Sequence, residues 1–526
     1  MASQATDDRM QDARSTALLS DRVRTGLLAQ VSAASGASRE IRSPWNGDVI
    51  GEVPTHTLDE LDGITRTARD AQRAWAAVPM SRRRAIVRRF ARLVLDRRDT
   101  VLDVIQAETG KSRVHALEET LDVALLAGHY AGTAGRALRP RIRLGAIPML
   151  TSVREVRHPK GVVGVISPWN YPFTLAASDA IPALLAGNAV VLKPDSQTPY
   201  SALLALSLLR EAGLPRDVMQ VVLGPGATIG DALIDAVDFM MFTGSTATGT
   251  AIAQRCASRL IGFSAELGGK NPLVVLEDAD LAAAARGAAR ACFSNAGQLC
   301  ISVERIYVPE RIADAFTEAF VAETRALRIG TGADWGIDVG SLISDAQLRT
   351  VQAHVDDAVE RGARVLTGGG ARPDLGDLVF EPTILTDVPE TALLHRDETF
   401  GPVVSIYRTP DEETAIARAN DSDYGLNASL WTRRADATEV AAALRTGTVN
   451  INEGYAAAWA SHAAPMGGWK ASGVGRRHGR EGIEKYTEVQ TIARQRLRPV
   501  GPWPGMSNAA YERLMVGAAR ALNLLR

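Results

Sequence analysis

The run GVVGVIS (161–167), followed by NAVVLKP (188–194), SALLALSLLREAG (201–213), MQVVLG (219–224) and DFMMFTGS (238–245), decides the fold. Short β-branched runs alternate there with Ala- and Leu-rich helical text, which predicts βαβ units around a parallel sheet. Working outward, a second α/β block begins at NPLVVL (271–276). It continues through RIYV (305–308), a helix near Ala313 to Leu327, ARVLTGG (363–369) and VVSIYRT (403–409). Upstream, from about Thr57 to Leu138, apolar residues recur at helical spacing. The arginines in that region interleave with Asp and Glu, so they read as a solvated helix face. Two stretches with strand character, IRLGAIPMLTSVREVRHPK (142–160) and YTEVQTIARQRL (486–497), are expected to pair in a separate small sheet. The last segment, AYERLMVGAARALNLLR (510–526), follows VGPWPG and reads as an amphipathic helix carrying Arg513, Arg520 and Arg526.

Composition bounds the function. A chain of 526 residues exceeds the size at which one core keeps growing, and 46% hydrophobic with 23% charged residues is ordinary for a folded enzyme. Lys plus Arg number 59 and Asp plus Glu 60, so the net charge of -1 supplies no field for nucleic acid or acidic membranes. The three cysteines, Cys256, Cys292 and Cys300, have the spacing of neither a disulfide framework nor a zinc site. A reducing compartment fits them, and the cytoplasm is the expected location. No window approaches the roughly 20 apolar residues that span a bilayer. The first 36 residues carry Asp7, Asp8 and Asp12 and lack an apolar run, so they read as a mobile arm with room for one short helix. No repeat of 20 to 50 residues is present.

An intact GxGxxG after a strand is missing, which counts against an ordinary Rossmann dehydrogenase. The strand DFMMFT leads instead into Gly244-Ser245-Thr246, which opens a helix whose free N–H groups can hold a phosphate. SPWNYP (167–172) follows the strand GVVGVI; its prolines fix a turn, and the Asn170 amide can donate to a developing oxyanion. Glu266 stands in AELGGKNP, where two glycines permit close backbone approach. NAGQLC ends in Cys300, a thiol nucleophile if a base and oxyanion donors adjoin it. Each signal alone has a structural reading: a helix cap, a rigid turn, a surface carboxylate, a core cysteine. Cys256 and Cys292 keep the structural one.

Taken together, PWNYP, FTGS, ELGGKNP, GQLC and ETFGPV resemble the aldehyde dehydrogenase superfamily in order and spacing, from about Glu40 to Leu497. The resemblance implies an α/β fold with a Rossmann-type cofactor domain, an α/β catalytic domain and a small oligomerisation sheet. The corresponding boundaries are 1–36 for the arm and 37–139 with 161–270 for the cofactor domain. Residues 271–470 form the catalytic domain, 140–160 with 484–498 the oligomerisation sheet, and 499–526 the C-terminal extension. It further implies Cys300 as nucleophile, Asn170 with the Cys300 N–H as oxyanion hole, and Glu266 as activator of the hydrolytic water, with no metal. An intact Glu266 favours hydrolysis to a free acid over transfer to coenzyme A. A non-catalytic relative of the fold is the alternative from another class, and the retained Cys300, Glu266 and Asn170 speak against it.

By the same resemblance the cofactor contacts are Trp169, Asn170, Lys193, Pro194, Asp195, Ser196, Ser245, Thr246, Leu267, Glu398 and Phe400. NAD-preferring members often have a glutamate three residues after the lysine; Ser196 stands there, so NADP+ is the expected cofactor, with NAD+ as a second possibility. The longer strings KGVVGVISPWNYP, LKPDSQTPY, RLIGFSAELGGKNP, CFSNAGQLCIS and SGVGRRHG resemble the succinate-semialdehyde dehydrogenases of the longer actinobacterial type. Where better-known semialdehyde enzymes place carboxylate-binding arginines, this chain has Ser178 and Ser294. Ser178, Ser294 and Ser461 are the candidate substrate contacts, and an uncharged medium-chain or aromatic aldehyde is the alternative substrate. A homodimer or homotetramer is expected.

Overall fold

The computed structural model describes residues 18–32, 34–146, 150–496 and 500–524. One compact unit comprises the chain up to Ala137 together with Pro159–Thr487; a second comprises Leu138–His158 and Glu488–Arg526.

The first unit starts with helix α1 (Asp21–Leu28) and a hairpin of β1 (Ser38–Arg42) and β2 (Val49–Pro54). Of the expected mobile arm, residues 1–17 and 33 lie outside the described residues. The part that follows is docked: Leu27 is buried, Arg24 donates to the Ile50 carbonyl (3.2 Å) and Ser32 to Gln220 (2.7 Å). The helical text of 57–138 folds as α2 (Leu58–Ala76), α3 (Met80–Asp96), α4 (Arg98–Thr109) and α5 (Arg113–Ala137). A reciprocal capping box between Thr57 and Glu60 starts α2, whose buried Leu61, Ile64, Ala68 and Trp75 follow the helical period.

The second unit holds a three-stranded sheet that includes β3 (Arg141–Arg143) and β4 (Thr151–Pro159), paired antiparallel. Returning to the first unit, the alternating text gives β5 (Val162–Ser167), α6 (Pro172–Ala186), β6 (Ala189–Pro194), α7 (Pro199–Glu211), β7 (Met219–Val221), β8 (Phe239–Thr243), α8 (Thr246–Ser258) and β9 (Gly262–Glu266). The second block gives β10 (Asn271–Val275), α9 (Leu281–Phe293), β11 (Val303–Pro309), β12 (Arg364–Thr367), β13 (Thr383–Thr386), β14 (Val403–Thr409), β15 (Asn427–Trp431) and β16 (Thr448–Ile451). A two-residue strand, β17 (Gly473–Val474), then returns to pair antiparallel with β9. In the second unit β18 (Thr487–Gln495) completes the sheet β18-β4-β3, and α10 (Asn508–Leu524) follows with no buried residue.

The first large sheet has the order β7-β6-β5-β8-β9-β17 and is parallel from β7 to β9. Strand order reverses beside β5, so the crevice at the carboxyl ends of β5 and β8 is where such a sheet takes a ligand. Every residue of β6 and β8 is buried, as a sheet covered on both faces requires. The second large sheet runs β12-β13-β14-β11-β10-β15-β16, with only β12 antiparallel. Leu267-Gly268-Gly269-Lys270 joins β9 directly to β10, so the carboxyl edge of the first sheet meets the amino edge of the second. Among the described residues no helix is long and apolar enough to cross a membrane.

Candidate active site

The loops at that junction gather around one pocket. Its walls are Pro168, Trp169 and Asn170 after β5, Thr243 to Ser245 at the end of β8, Glu266 to Gly268 at the end of β9, and Cys300, Gln347, Glu398 and Phe400 from the second sheet's side. Cys300, Glu266 and Asn170, far apart in sequence, therefore share one cavity. So do the expected cofactor contacts Trp169, Ser245, Leu267, Glu398 and Phe400, with Trp169 and Phe400 meeting edge to face at 5.5 Å.

Cys300 is carried on a tightly held turn before β11. Asn295, Ala296 and Gly297 all adopt positive φ (52°, 54° and 70°), a costly conformation for the first two. The surroundings compensate: Asn295 Nδ2 donates to the Gln298 carbonyl (3.0 Å) and the Asn170 carbonyl (3.2 Å), and its N–H donates to His115 Nδ1 (3.2 Å). Asn271 Nδ2 donates to the Cys300 carbonyl (2.8 Å), leaving the Cys300 backbone clamped. Asn170 Nδ2 gives one proton to the Gln298 carbonyl (3.1 Å); an amide has two, and the second has no partner among the described residues.

The loop carrying Asn170 is braced from behind by a buried ion pair that the motifs do not contain. Lys111 Nζ donates to Glu119 (2.9 Å) and to the Asn170 carbonyl (2.6 Å), both side chains being fully buried. The Glu119 carboxylate in turn accepts from the N–H groups of Phe173 (2.6 Å) and Thr174 (2.9 Å), capping α6 where no cap was legible in PWNYPFT. A second buried pair, Lys270 with Glu304 (2.5 Å), holds the opposite wall. Glu304 accepts from Thr399 N–H (3.0 Å) and Phe400 N–H (3.0 Å), which keeps Phe400 at φ 55°. Sequence reasoning missed Lys111, Glu119, Lys270 and Glu304; the available signal was a charge inside otherwise apolar text, as in SVERIYV.

Burial raises the Glu266 carboxyl above its ordinary range, opposed first by Arg477, and its Oε1 has no hydrogen-bond partner among the described residues. Such an unpartnered oxygen facing the pocket suits a base awaiting a water. Burial, reinforced by Glu398, pushes the Cys300 thiol up to about 12, so it rests protonated. Cys256 and Cys292 are buried and free, and burial raises both thiols as well, in keeping with structural roles.

A second cavity, of about 500 Å³, lies along β5, β8 and α8 and includes Lys193, Gly226, Phe242, Thr248 and Arg255. Lys193 Nζ is buried and donates to the Pro194 carbonyl (3.1 Å), with further donor capacity unspent. With the open N-terminus of α8, capped by Ser245, these residues fit a dinucleotide. Other expected contacts are placed differently. Thr246 Oγ1 donates to the Ala471 carbonyl (3.2 Å), and Asp195 accepts from Gln197 N–H (2.8 Å). Ser196 lines a neighbouring cleft with Arg39 and Arg42.

On the far side of Cys300, Tyr171, Leu299, Ile301, Leu426, Tyr455 and Met466 form an apolar cluster, with Leu175 and Trp459 packed on it. The three serines expected near the substrate differ. Ser178 is buried with no partner for its hydroxyl among the described residues. Ser294 donates to the Arg290 carbonyl (2.8 Å) and accepts from Tyr455 OH (2.9 Å). Ser461 is exposed and donates within its own turn to Ala457 (2.7 Å). His462 pairs with buried Asp122 (2.9 Å) and meets His478 edge to face at 4.8 Å. Ligand atoms of these three lie within 4.8 Å of one another, but the charges of Arg477 and Lys485 act on His478 and oppose a dication there.

Comparison with known proteins accords with this geometry. Residues 31–492 match the profile described as the aldehyde dehydrogenase family. A Mycolicibacterium smegmatis protein named "Putative succinate-semialdehyde dehydrogenase (NADP+)" is 52% identical over 489 residues, 93% of this chain and 95% of its own. The Escherichia coli succinate-semialdehyde dehydrogenase (NADP+) is 37% identical over 88% of this chain and 95% of its own. Among solved structures, an E. coli NADP-dependent enzyme superposes with TM-score 0.84 at 36% identity, covering 87% of this chain and 95% of that one. A Staphylococcus aureus betaine aldehyde dehydrogenase in complex with NAD+ gives 0.84 at 31% identity, covering 91% and 99%. The fold, the shared pocket and these matches over most of both chains establish that the chain belongs to the aldehyde dehydrogenase family, oxidoreductases that act on aldehydes.

Proposed function

We propose that the protein oxidises an aldehyde to a free carboxylic acid through a thioester on Cys300, in the cytoplasm. The observation that carries this reading is the convergence of Cys300, Asn170 and Glu266 on one pocket. Cys300 Sγ attacks the aldehyde carbon as its proton passes to the Glu266 carboxylate, which returns it to solvent before hydrolysis, and the charge growing on oxygen is met by the second Asn170 amide proton and the Cys300 N–H. When bound, the nicotinamide cofactor accepts the hydride that turns this adduct into a thioester. Glu266 then takes a proton from the water that attacks the thioester, releasing the acid and returning Cys300. Trp169, Leu267 and Phe400 wall the nicotinamide end. Glu398 would hold a ribose there, and Ser245 with the start of α8 would take phosphate. Residues 37–139 with 161–270 act as the cofactor domain and 271–470 as the catalytic domain. No coenzyme A is needed.

For the cofactor we propose NADP+. Position 196 carries no carboxylate to repel a 2′-phosphate, and Lys193 lies in the field of Arg39, which makes no ion pair among the described residues. For the substrate we propose succinate semialdehyde, the aldehyde for which two relatives are named, with the Ser178 hydroxyl, unpartnered among the described residues, as a donor to its carboxylate. The apolar cluster of Tyr171, Tyr455 and Trp459 beside Cys300 favours a second reading, an uncharged or aromatic aldehyde. Succinate semialdehyde, hexanal and benzaldehyde assayed with both cofactors separate the two. The largest kcat/KM is expected for succinate semialdehyde with NADP+; a larger value for benzaldehyde, or with NAD+, overturns the corresponding half. The three-stranded sheet is proposed as the assembly surface of a dimer or tetramer.

A further inference from the structure

β8 and β9 reach the pocket side by side, with Thr243 opposite Glu266 and Met241 opposite Ser264. Residues two apart on a strand share a face, so all four side chains point to the same side of the sheet. Two cations with no role in the chemistry above, the buried Arg477 and the half-buried Lys485, lie on that side. Arg477, just past β17, forks onto Asp179 of α6 (Nε to Oδ1 3.1 Å, Nη2 to Oδ2 2.6 Å) and also donates to Thr243 Oγ1. Lys485 reaches Ser264 Oγ (3.3 Å) and Met241 Sδ (3.2 Å). Arg477 and Lys485 thus stand against Asp179 and Glu266. With Glu266 ionised the group is neutral; with Glu266 protonated it carries an excess buried positive charge, which is costly.

We propose that Arg477 and Lys485 are positioning residues that keep Glu266 an ionised base on the floor of the pocket, against the opposing charge of Asp179. This rests on the reading of Glu266 as the hydrolytic base. The other groups facing Glu266 are accounted for. Arg476, on the same loop as Arg477, adds to the cations, whereas Cys300 and Glu398, across the pocket, bring no positive charge. Tyr486, beside Lys485, is held neutral by burial. Burial is the largest influence raising the Glu266 carboxyl; Arg477 and then Lys485 oppose it, and Asp179 adds to the rise. The three neighbours therefore predict shifts of opposite sign, which a merely structural role does not.

The test is the pH dependence of thioester hydrolysis in the full-length enzyme with aldehyde and NADP+, alongside thermal unfolding of each variant. Lys485→Met and Lys485→Gln should move the acid limb up by about one pH unit. Lys485→Arg should leave it in place, and Asp179→Asn should move it down. An acid limb unmoved in both neutral Lys485 variants, or moved upward in Asp179→Asn, overturns the proposal. Glu266→Gln runs in parallel. If it abolishes hydrolysis while the limb stays fixed in the Lys485 variants, only the positioning role fails; if hydrolysis persists in it, the base assignment fails as well.

Discussion

Asn170 gives one amide proton to the carbonyl of Gln298, which orients the side chain and leaves a single donor for the reaction. Removing such a donor typically costs about 3 to 4 kcal/mol of transition-state stabilisation, so Asn170→Ala should lose roughly two to three orders of magnitude in kcat with little change in thermal unfolding. Steady-state kinetics beside a melting curve checks this, and near-normal kcat contradicts it. A glutamate at position 196 should repel a 2′-phosphate. Ser196→Glu is therefore expected to lower kcat/KM for NADP+ by at least tenfold while sparing NAD+, since about 1.4 kcal/mol of repulsion suffices. At this scale the sequence was legible in its motifs: Cys300, Glu266 and Asn170, picked out from motif text, line one pocket. Ser294 was not, because its commitment to Tyr455 depends on a partner 161 positions away.

The elements that aim these residues depend on buried charge. Glu119 caps α6 and pairs with Lys111, which in turn holds the Asn170 carbonyl. Taking away one partner strands the other in the core, so Glu119→Ala should destabilise the fold by about 3 to 5 kcal/mol, measured by denaturant unfolding. A loss under about 1 kcal/mol would mean that the pair contributes little. Gly297 combines a φ of 70° with a position where a Cβ would run into the Gly401 carbonyl. Gly297→Ala should displace the turn carrying Cys300 and slow labelling of that thiol by a substrate-like aldehyde. The large elements were readable because βα alternation and helical spacing are local patterns: β5, β6, β8, β10, β11 and β14 all fall on runs read as strands. The left-handed turn was not readable, since Asn295 and Ala296 need distant hydrogen bonds to hold it. Nor did local pattern foresee the docking of α1, which rests on Leu27 and on contacts of Arg24 and Ser32 with residues far along the chain.

Two largely parallel sheets meet edge to edge, and the pocket shared by Cys300, Asn170 and Glu266 lies at the seam where the carboxyl ends of one face the amino ends of the other. The second unit leaves Ile142, Val489, Ile492, Leu514 and Val516 exposed, apolar surface that assembly would cover. Light scattering is expected to give a dimer or tetramer, and Ile492→Asp a smaller species; a monomeric wild type contradicts that reading. The central claim, a thioester on Cys300 hydrolysed with help from Glu266, is tested most directly by rapid mixing of the Glu266→Gln enzyme with aldehyde and NADP+, followed by intact mass measurement. A burst of about one NADPH per site and an acyl adduct on Cys300 that persists over many turnovers of the wild type are predicted. Steady turnover at the wild-type rate with no adduct, or no burst in an enzyme that still binds cofactor, would contradict the account.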